Sequence, residues 1–142
     1  MPTEAEWEVA ARSLPLVGDR GVVGRTAYGF GSDVELLTRF GWHQPNSGVR
    51  LHVGRERLPG LRGLWDIHGN ATEWCHDWYD AKWYGRSQRE DPAGVAEASF
   101  RVFRGGSWSD HAVNCRTADR RNVEPGSRGN DLVFRVVRSS EQ

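Results

Sequence analysis

The sequence predicts one α+β domain in which a single N-terminal helix and a few short strands carry long loops. Its 142 residues include 17 glycines and seven tryptophans, a composition that favours turns and irregular backbone over a helical bundle. A helical pattern is confined to the N-terminal residues, and the strand-like runs are short and bounded by turn residues. No internal repeat or linker divides residues 1–142, so we expect a single domain.

The helix is predicted over residues 4–12. Thr3 and Glu6 form a capping-box pattern, in which the Thr3 hydroxyl accepts from the Glu6 amide and the Glu6 carboxylate accepts from the Thr3 amide. Trp7 and the alanines one turn later fall on one face, which indicates a buried side of the helix. Pro15 predicts that the helix has ended by that point.

The rest of the chain is predicted to be loop interrupted by short strands. Residues 18–63 have the composition of a loop with one helical turn over residues 33–38, and residues 76–98 that of a second polar loop. Strands are predicted over residues 100–104, 116–120 and 134–137. Gly105-Gly106 is expected to end the first of them in a bulge or a close approach of two backbones.

The charge is balanced, with 19 basic and 19 acidic side chains, so no net field attracts the chain to nucleic acid or to a membrane surface. Lys82 is the only lysine, and the bias toward arginine indicates bidentate ion pairs inside the fold or, equally, a GC-rich genome. We expect Arg116, Arg120, Arg128 and Arg135 to hold loops in this way.

Membrane and secretion signals are not visible in the sequence. No apolar run approaches the roughly 20 residues that span a bilayer, and Met1 is not followed by a leader-like segment. We therefore expect neither a signal peptide nor a membrane segment in this chain, and the cellular location is left open.

Four sequence blocks occur in a fixed order along the chain. They are residues 2–12, residues 63–74 with Gly-Asn-Ala-Thr-Glu-Trp, residues 101–108 with Gly-Gly-Ser, and residues 134–136 with Phe-Arg-Val. Together they resemble the formylglycine-generating enzyme, or sulfatase-modifying factor, family. The resemblance implies a C-type-lectin-like fold with a small twisted antiparallel sheet and long ordered loops.

The resemblance also bears on the extent of the chain. Full-length members of that family carry a further N-terminal portion ahead of the first block, so we expect this chain to lack it, and a partner domain is a candidate to replace it. The similarity is closest to bacterial members without catalytic activity and to the variable proteins of diversity-generating retroelements, particularly over residues 114–120.

The enzymes of the family hold copper with two cysteines five residues apart after the Gly-Gly-Ser strand. Here Cys115 occupies the second position and Asp110 the first. Cu(I) prefers soft thiolates, so we expect no copper and no catalytic residues. The five histidines include no pair at the i, i+4 spacing of a helical metal site. Cys75 and Cys115 are either one disulfide or two buried thiols.

A calcium site is implied by the resemblance alone. It would consist of the Asp66 side chain, the carbonyl groups of Gly69 and Ala71, and the Glu73 carboxylate, all hard oxygen ligands of the kind that Ca²⁺ takes. The alternative is that Asp66 and Glu73 cap turn amides or pair with arginine.

The C-terminal third of the sequence is predicted to form a recognition surface. Its polar loop residues offer adaptable hydrogen bonding, and its tryptophan a stiff anchor. The candidate ligand-binding residues are Trp108, Ser109, Asp110, His111, Asn122, Ser127, Asn130 and Asp131. Several are residue types that adenine-directed mutagenesis makes from asparagine codons, as in diversity-generating retroelements. The sequence therefore predicts a non-catalytic display module for a protein or other ligand of unknown identity, without nucleic acid.

Two other functions stay open at this point. One is a metal-dependent oxidase of the formylglycine-generating type that has kept an unusual site. The other is a regulatory or structural domain of a larger protein.

Overall fold

The computed structural model describes residues 1–12 and 26–138. Helix α1 spans Glu4–Arg12 and helix α2 spans Leu37–Phe40. The strands are β1 at Thr72–Trp78, β2 at Arg101–Arg104, β3 at Arg121–Val123 and β4 at Leu132–Phe134. Single turns of 3-10 helix lie at Val34–Leu36, Trp83–Gly85 and Ala112–Cys115. The predicted α+β class with one clear N-terminal helix is confirmed. None of the described helices is both long and apolar enough to cross a membrane.

Helix α1 begins as its capping box predicts. The Thr3 amide donates to Glu6 Oε2 at 2.8 Å, and the Glu6 amide donates to Thr3 Oγ1 at 3.2 Å. Trp7 and Ala11 are buried on the inner face of the helix. The predicted stop at Pro15 lies outside the described residues.

The four strands form one mixed sheet in the order β3-β2-β1-β4. β1 and β2 are antiparallel with Glu73 opposite Arg104, β2 and β3 are antiparallel, and β4 is parallel to β1. The register between β1 and β2 shifts between Trp74 and Trp78. This arrangement makes β3 and β4 the two edges of the sheet.

Three boundaries predicted from the sequence are wrong. Residues 116–120 form a turn rather than a strand, because the Thr117 amide donates to the Ala27 carbonyl and the Asp119 amide to the Arg116 carbonyl. The partner of β2 therefore begins only at Arg121. Residues 76–78 belong to β1 instead of the following loop, and the last strand ends at Phe134 instead of continuing to residue 137. The predicted helical turn near residue 34 and the strand near residue 101 are confirmed.

The apolar core is small and divided in two. One cluster contains Trp7, Ala11, Ile67, Cys75 and Val102, and the other contains Tyr28, Leu37 and Cys115. The two cysteines are free thiols in different clusters, so the disulfide alternative is not what the structure shows.

A buried network of charges holds α1 against the sheet. The Glu4 carboxylate accepts from Arg120 Nε at 2.8 Å and from Arg120 Nη2 at 2.7 Å. Arg104, whose side chain is fully buried, donates to the Glu8 carboxylate and to the Asp119 carbonyl. These ion pairs and hydrogen bonds thus help to hold α1 on the sheet, because the two apolar clusters are small.

Arginine also stacks on tryptophan. Guanidinium groups lie over five of the seven indole rings, as Arg55 on Trp65, Arg57 on Trp42, Arg86 on Trp83, Arg101 on Trp78 and Arg104 on Trp7. A planar, weakly hydrated cation suits this contact better than the ammonium group of lysine does. The arginine bias therefore has a structural use both in ion pairs and in stacking.

Candidate functional site

The loops that follow β2 and β3 meet at a shallow cavity of about 390 Å³. Four of the predicted ligand-binding residues line it: Ser109, Asp110, Ser127 and Asp131. Thr72, Phe103, Arg121 and Arg128 line it as well, and the prediction from the sequence did not assign them to the site. The structure thus brings together residues that are up to about 60 positions apart in the sequence.

The chain enters this region through two glycines that no other residue could replace at low cost. Gly105 and Gly106 have φ values of 97° and 71°, in the left-handed region. A Cβ atom on Gly106 would lie 2.7 Å from Cys115 Sγ and 2.9 Å from the Asn114 carbonyl oxygen. The close approach of backbones predicted at this pair is therefore present, and it sets the direction of the following loop.

Asp110 anchors that loop. Its carboxylate accepts two hydrogen bonds from Arg121, each 2.9 Å long, and further bonds from the Ser107 amide, the Ser107 hydroxyl and Asn114 Nδ2. Burial raises the pKa of this carboxyl, but the hydrogen bonds from Arg121 and Ser107 outweigh it and hold the pKa below its usual value. The acceptor capacity of Asp110 is used within the protein, so its role in the structure is to position the loop.

The other predicted residues lie outside the lining of this cavity. His111, Asn122 and Asn130 are exposed, and their side chains make no hydrogen bond to any other described residue. Trp108 is half-buried, and its amide donates to the Asn70 carbonyl at 2.9 Å, while its indole N–H is buried without a partner in the described residues. Because Asn122 lies between the cavity residues Arg121 and Val123 in β3, its side chain faces the other side of the sheet. His111 and Asn130, which we call the rim, are free polar groups in the loops.

Two charged groups in the cavity can still accept or donate further hydrogen bonds. The Asp131 carboxylate has a single contact, with the Ser107 hydroxyl at 3.4 Å, although its backbone carbonyl is bound by both the amide and the hydroxyl of Thr72. Arg128 is exposed and makes no ion pair within residues 1–12 and 26–138, in contrast to the structural role predicted for it. Arg135 pairs with Glu73, Arg120 pairs with Glu4 of α1, and Arg116 donates to the Val113 carbonyl.

Cys115 lies beneath the loop with its side chain fully buried. Burial, with a smaller contribution from the Asp110 charge, raises the pKa of the thiol to about 12. One cysteine beside a carboxylate that is already paired with Arg121 lacks the second soft sulfur ligand that Cu(I) prefers. The residues present at the two family positions therefore do not fit copper.

The residues of the implied calcium site are mostly engaged inside the protein. Glu73 accepts from Arg135 through both oxygens and from Trp7 Nε1 at 2.9 Å, and the Gly69 carbonyl accepts from the Ala71 amide. Asp66 accepts from the Arg55 amide through Oδ2, while Oδ1 is buried with no partner among the described residues.

Pairing with arginine, the alternative considered from the sequence, is thus what the structure shows at Glu73. Among the carboxylate oxygens of the implied set, Asp66 Oδ1 is the one without a partner in the described residues, and calcium at this place stays a prediction.

His68, in the tight turn that precedes β1, is a buried structural residue. Its Nε2 accepts from the Gly29 amide at 3.0 Å, so the proton lies on Nδ1, which donates to the Cys115 carbonyl at 2.9 Å. Burial lowers its pKa to about 4. A neutral ring with both nitrogens occupied joins three segments and is not available as a general base.

The chain is similar to a known protein family and to several of its members. The family described as "Sulfatase-modifying factor enzyme 1-like domain" matches residues 1–140. The formylglycine-generating enzyme of Streptomyces coelicolor is 33% identical over 155 residues, covering 99% of this chain and 47% of that protein. The serine/threonine-protein kinase pkn1 of Chlamydia pneumoniae is 33% identical, covering 98% of this chain and 21% of the kinase. The chain thus spans about half of the first relative and about a fifth of the second.

Two solved structures are similar over most of the chain. Treponema denticola variable protein 1 superposes with a TM-score of 0.82 at 38% identity, covering 94% of this chain and 45% of that one. PvdO from Pseudomonas aeruginosa superposes with a TM-score of 0.70 at 22% identity, a likeness that concerns the fold alone.

Proposed function

We propose that this chain, which belongs to the sulfatase-modifying factor enzyme 1-like domain family, is a non-catalytic module that binds a protein or another ligand through the loops after β2. It has the C-type-lectin-like α+β fold that its four sequence blocks imply. The observation that carries the proposal is the contrast within these loops. Ser107 and Asp110 are saturated with internal hydrogen bonds, whereas His111 and Asn130 are exposed and unpaired in the described structure.

This contrast is what a display surface requires. Residues that hold the backbone of a loop are coupled to the frame and cannot vary freely, whereas exposed side chains without partners can change while the fold is kept. The similarity to Treponema denticola variable protein 1, at 38% identity, supports the interpretation of these loops as a display surface. We propose, accordingly, that the chain is the variable protein of a diversity-generating retroelement.

The absence of catalysis is part of the proposal. Its support is chemical: Cys115 is the one cysteine at the two positions, and Asp110, in the position of the other copper ligand, is bound to Arg121. His68 has both ring nitrogens occupied. The oxidase alternative requires a thiolate pair that these residues do not provide.

A direct binding experiment tests the display surface. The purified chain is used as bait beside a rim variant, H111A/N130A, and a matched control with two exposed substitutions in the loop before β2, E97A/S99A. We expect a ligand that is retained by the wild type and the control and is weakened by about tenfold or more in the rim variant, which corresponds to about 1.4 kcal/mol. A ligand retained equally by all three proteins would place binding elsewhere.

Two further observations bear on the alternatives. Copper or iron bound at one equivalent and lost in Cys115→Ser would contradict the non-catalytic proposal. A reverse transcriptase gene beside this one, with an adenine-varied copy of residues 107–135, would support diversification, and uniform residues at Ser109 and His111 among sister genes would contradict it.

A further inference from the structure

The cavity beside the loops after β2 and β3 has a partly apolar lining. Phe103 of β2, Val123 of β3 and Leu132 of β4 contribute to it, and all three are half-buried. Methylene groups of a ligand that lie against such side chains are removed from water, which favours binding. The volume of about 390 Å³ lies in the range of sites for small ligands.

Most of the polar side chains that line the cavity are paired within the protein. The Asp110 carboxylate forms an ion pair with Arg121 at 2.9 Å. The Thr72 hydroxyl donates to a backbone carbonyl at 2.7 Å, and the Ser109 hydroxyl lies 3.0 Å from the hydroxyl of Ser107. These groups therefore add no unmatched charge to the cavity.

Asp131 contributes an unmatched negative charge. Its backbone is held in place, because its carbonyl accepts from both the amide and the hydroxyl of Thr72, each at 2.7 Å. Its side chain is half-buried, and the contact of Oδ2 with the Ser107 hydroxyl is long, at 3.4 Å. A Cβ atom on Gly129 would lie 2.7 Å from Asp131 Oδ1, although the φ of Gly129 is outside the left-handed region. The glycine therefore serves to leave space beside this oxygen.

Arg128 contributes a positive charge to the same cavity. It is exposed, and no described carboxylate, that of Asp131 included, forms an ion pair with it. The cavity thus combines an apolar lining with one carboxylate and one guanidinium whose charges are unmatched in the described part of the chain. A ligand that carries both an ammonium group and a carboxylate complements the two, whereas a ligand with a single charge leaves one of them unmatched.

We propose that this cavity binds the end of an aliphatic chain that carries an ammonium group and a carboxylate, as the C-terminal lysine of a protein ligand does. The ammonium group donates to the Asp131 carboxylate, the methylene groups lie against Phe103 and Leu132, and the carboxylate accepts from Arg128. This inference rests on the proposed function and specifies the chemistry of its ligand.

The contacts of Asp131 favour an ammonium group over a guanidinium group. A guanidinium group pairs best with a carboxylate through two parallel hydrogen bonds, which use both oxygens. Asp131 Oδ2 already lies near the Ser107 hydroxyl, and Oδ1 is the oxygen that Gly129 leaves accessible. An ammonium group is a point charge that binds through one oxygen, so it fits this arrangement.

The probe is 6-aminohexanoate, a linear molecule with one ammonium and one carboxylate group, and its binding is measured by isothermal titration calorimetry. We expect a Kd of about 1 mM or tighter. Hexylamine and hexanoate, each of which lacks one of the two charges, are expected to bind about tenfold or more weakly, because each leaves Arg128 or Asp131 without a partner.

Substitutions in the cavity test the two contacts separately. Asp131→Asn and Arg128→Met are each expected to weaken the binding of 6-aminohexanoate by about tenfold or more. Glu97→Gln and Arg62→Met make similar changes at exposed residues outside the cavity, and they should leave binding unchanged. Gly129→Ala keeps both charges and should also weaken binding, because its Cβ crowds Asp131 Oδ1.

Urea unfolding of each variant checks that the fold is retained. Absence of binding by the wild type up to about 20 mM 6-aminohexanoate would overturn the inference. Equal affinity of the wild type and Asp131→Asn would overturn it as well, as would hexylamine binding as tightly as 6-aminohexanoate.

The same probe distinguishes this inference from the proposed function. A captured ligand that depends on His111 and Asn130 but is not displaced by 6-aminohexanoate would contradict the inference and leave the proposed function in place. Binding of 6-aminohexanoate through Asp131 and Arg128, without capture of any ligand that depends on the rim, would support the chemistry of the cavity and contradict the proposed function.

Discussion

The interface under α1 and the rim of the loops after β2 are both rich in polar side chains, but they use them in opposite ways. Under α1, Glu4 and Arg104 are buried, Arg120 is half-buried, and the three are bound to one another or to the backbone. At the rim, His111 and Asn130 are exposed and have no partner in the described structure. Polar residues thus stabilise this protein only where each charge has a fixed partner, and the others are free for recognition. The following predictions test that division.

The largest effect is expected for Arg104→Met. Removing one member of a buried ion network takes a donor from Glu8 Oε2 and from the Asp119 carbonyl, while Arg12 still binds Glu8 Oε1. We expect this to cost about 3–5 kcal/mol of unfolding free energy. The measurement is urea unfolding followed by circular dichroism. Arg128→Met, the same change at an exposed guanidinium without a described partner, is the control and should stay within about 0.5 kcal/mol of the wild type. Equal losses in the two variants would contradict the division.

Acid should weaken the fold through His68. Its pKa is about 4 in the folded protein and 6.5 in the unfolded chain, so the unfolded state binds the proton more readily. Stability is therefore fully present above pH 6.5, falls as the pH drops and levels off below about 4, with a total loss on the order of 3 kcal/mol. His68→Gln should remove this part of the pH dependence of unfolding, and His111→Gln should leave it unchanged. The same slope in all three proteins would show that another group titrates.

A substitution at Asp110 tests whether this residue stabilises the fold or takes part in ligand binding. Asp110→Asn breaks the bidentate pair with Arg121, and we expect a loss of about 1–3 kcal/mol in urea unfolding. Asp131→Asn, which alters a carboxylate with one contact at 3.4 Å, should cost less than about 0.5 kcal/mol. If Asp110→Asn is neutral for stability but reduces ligand binding, Asp110 belongs to the recognition surface as the sequence predicted.

The smallest effects on stability are expected at the rim. His111→Ala and Asn130→Ala should each change the unfolding free energy by less than about 0.5 kcal/mol, because neither side chain is buried or paired. Thermal unfolding checks this. A loss above about 1 kcal/mol in either variant would mean that the residue holds a loop rather than displays a side chain.

Some features could be predicted because they depend on neighbours in the sequence. The capping box of Thr3 and Glu6 lies within one helical turn, so the start of α1 was predictable. The end of β1 and the start of β4 were not, because Trp78 pairs with Arg101 and Leu132 with Thr72, and such pairings depend on distant strands.

The candidate site shows the same limit. Polar loop residues after Gly-Gly-Ser were visible in the sequence, and four of them do line one cavity. The sequence did not show that the Asp110 carboxylate has a full set of hydrogen bonds or that Arg128 has no ion-pair partner in the described residues. The identity of a charged residue does not reveal which partners it has. The contribution of Phe103 from β2 and Thr72 from β1 needed the sheet register.

The sequence by itself determined the family, the helix with its cap, the two glycines that end β2 and the incomplete cysteine pair, because each depends on residue identity and short spacing. Only the tertiary structure decided which charges are matched, that the two thiols lie in separate clusters, and that β4 is an edge of the sheet. Those properties depend on burial and on hydrogen-bond partners, which are set by contacts between segments remote in the sequence.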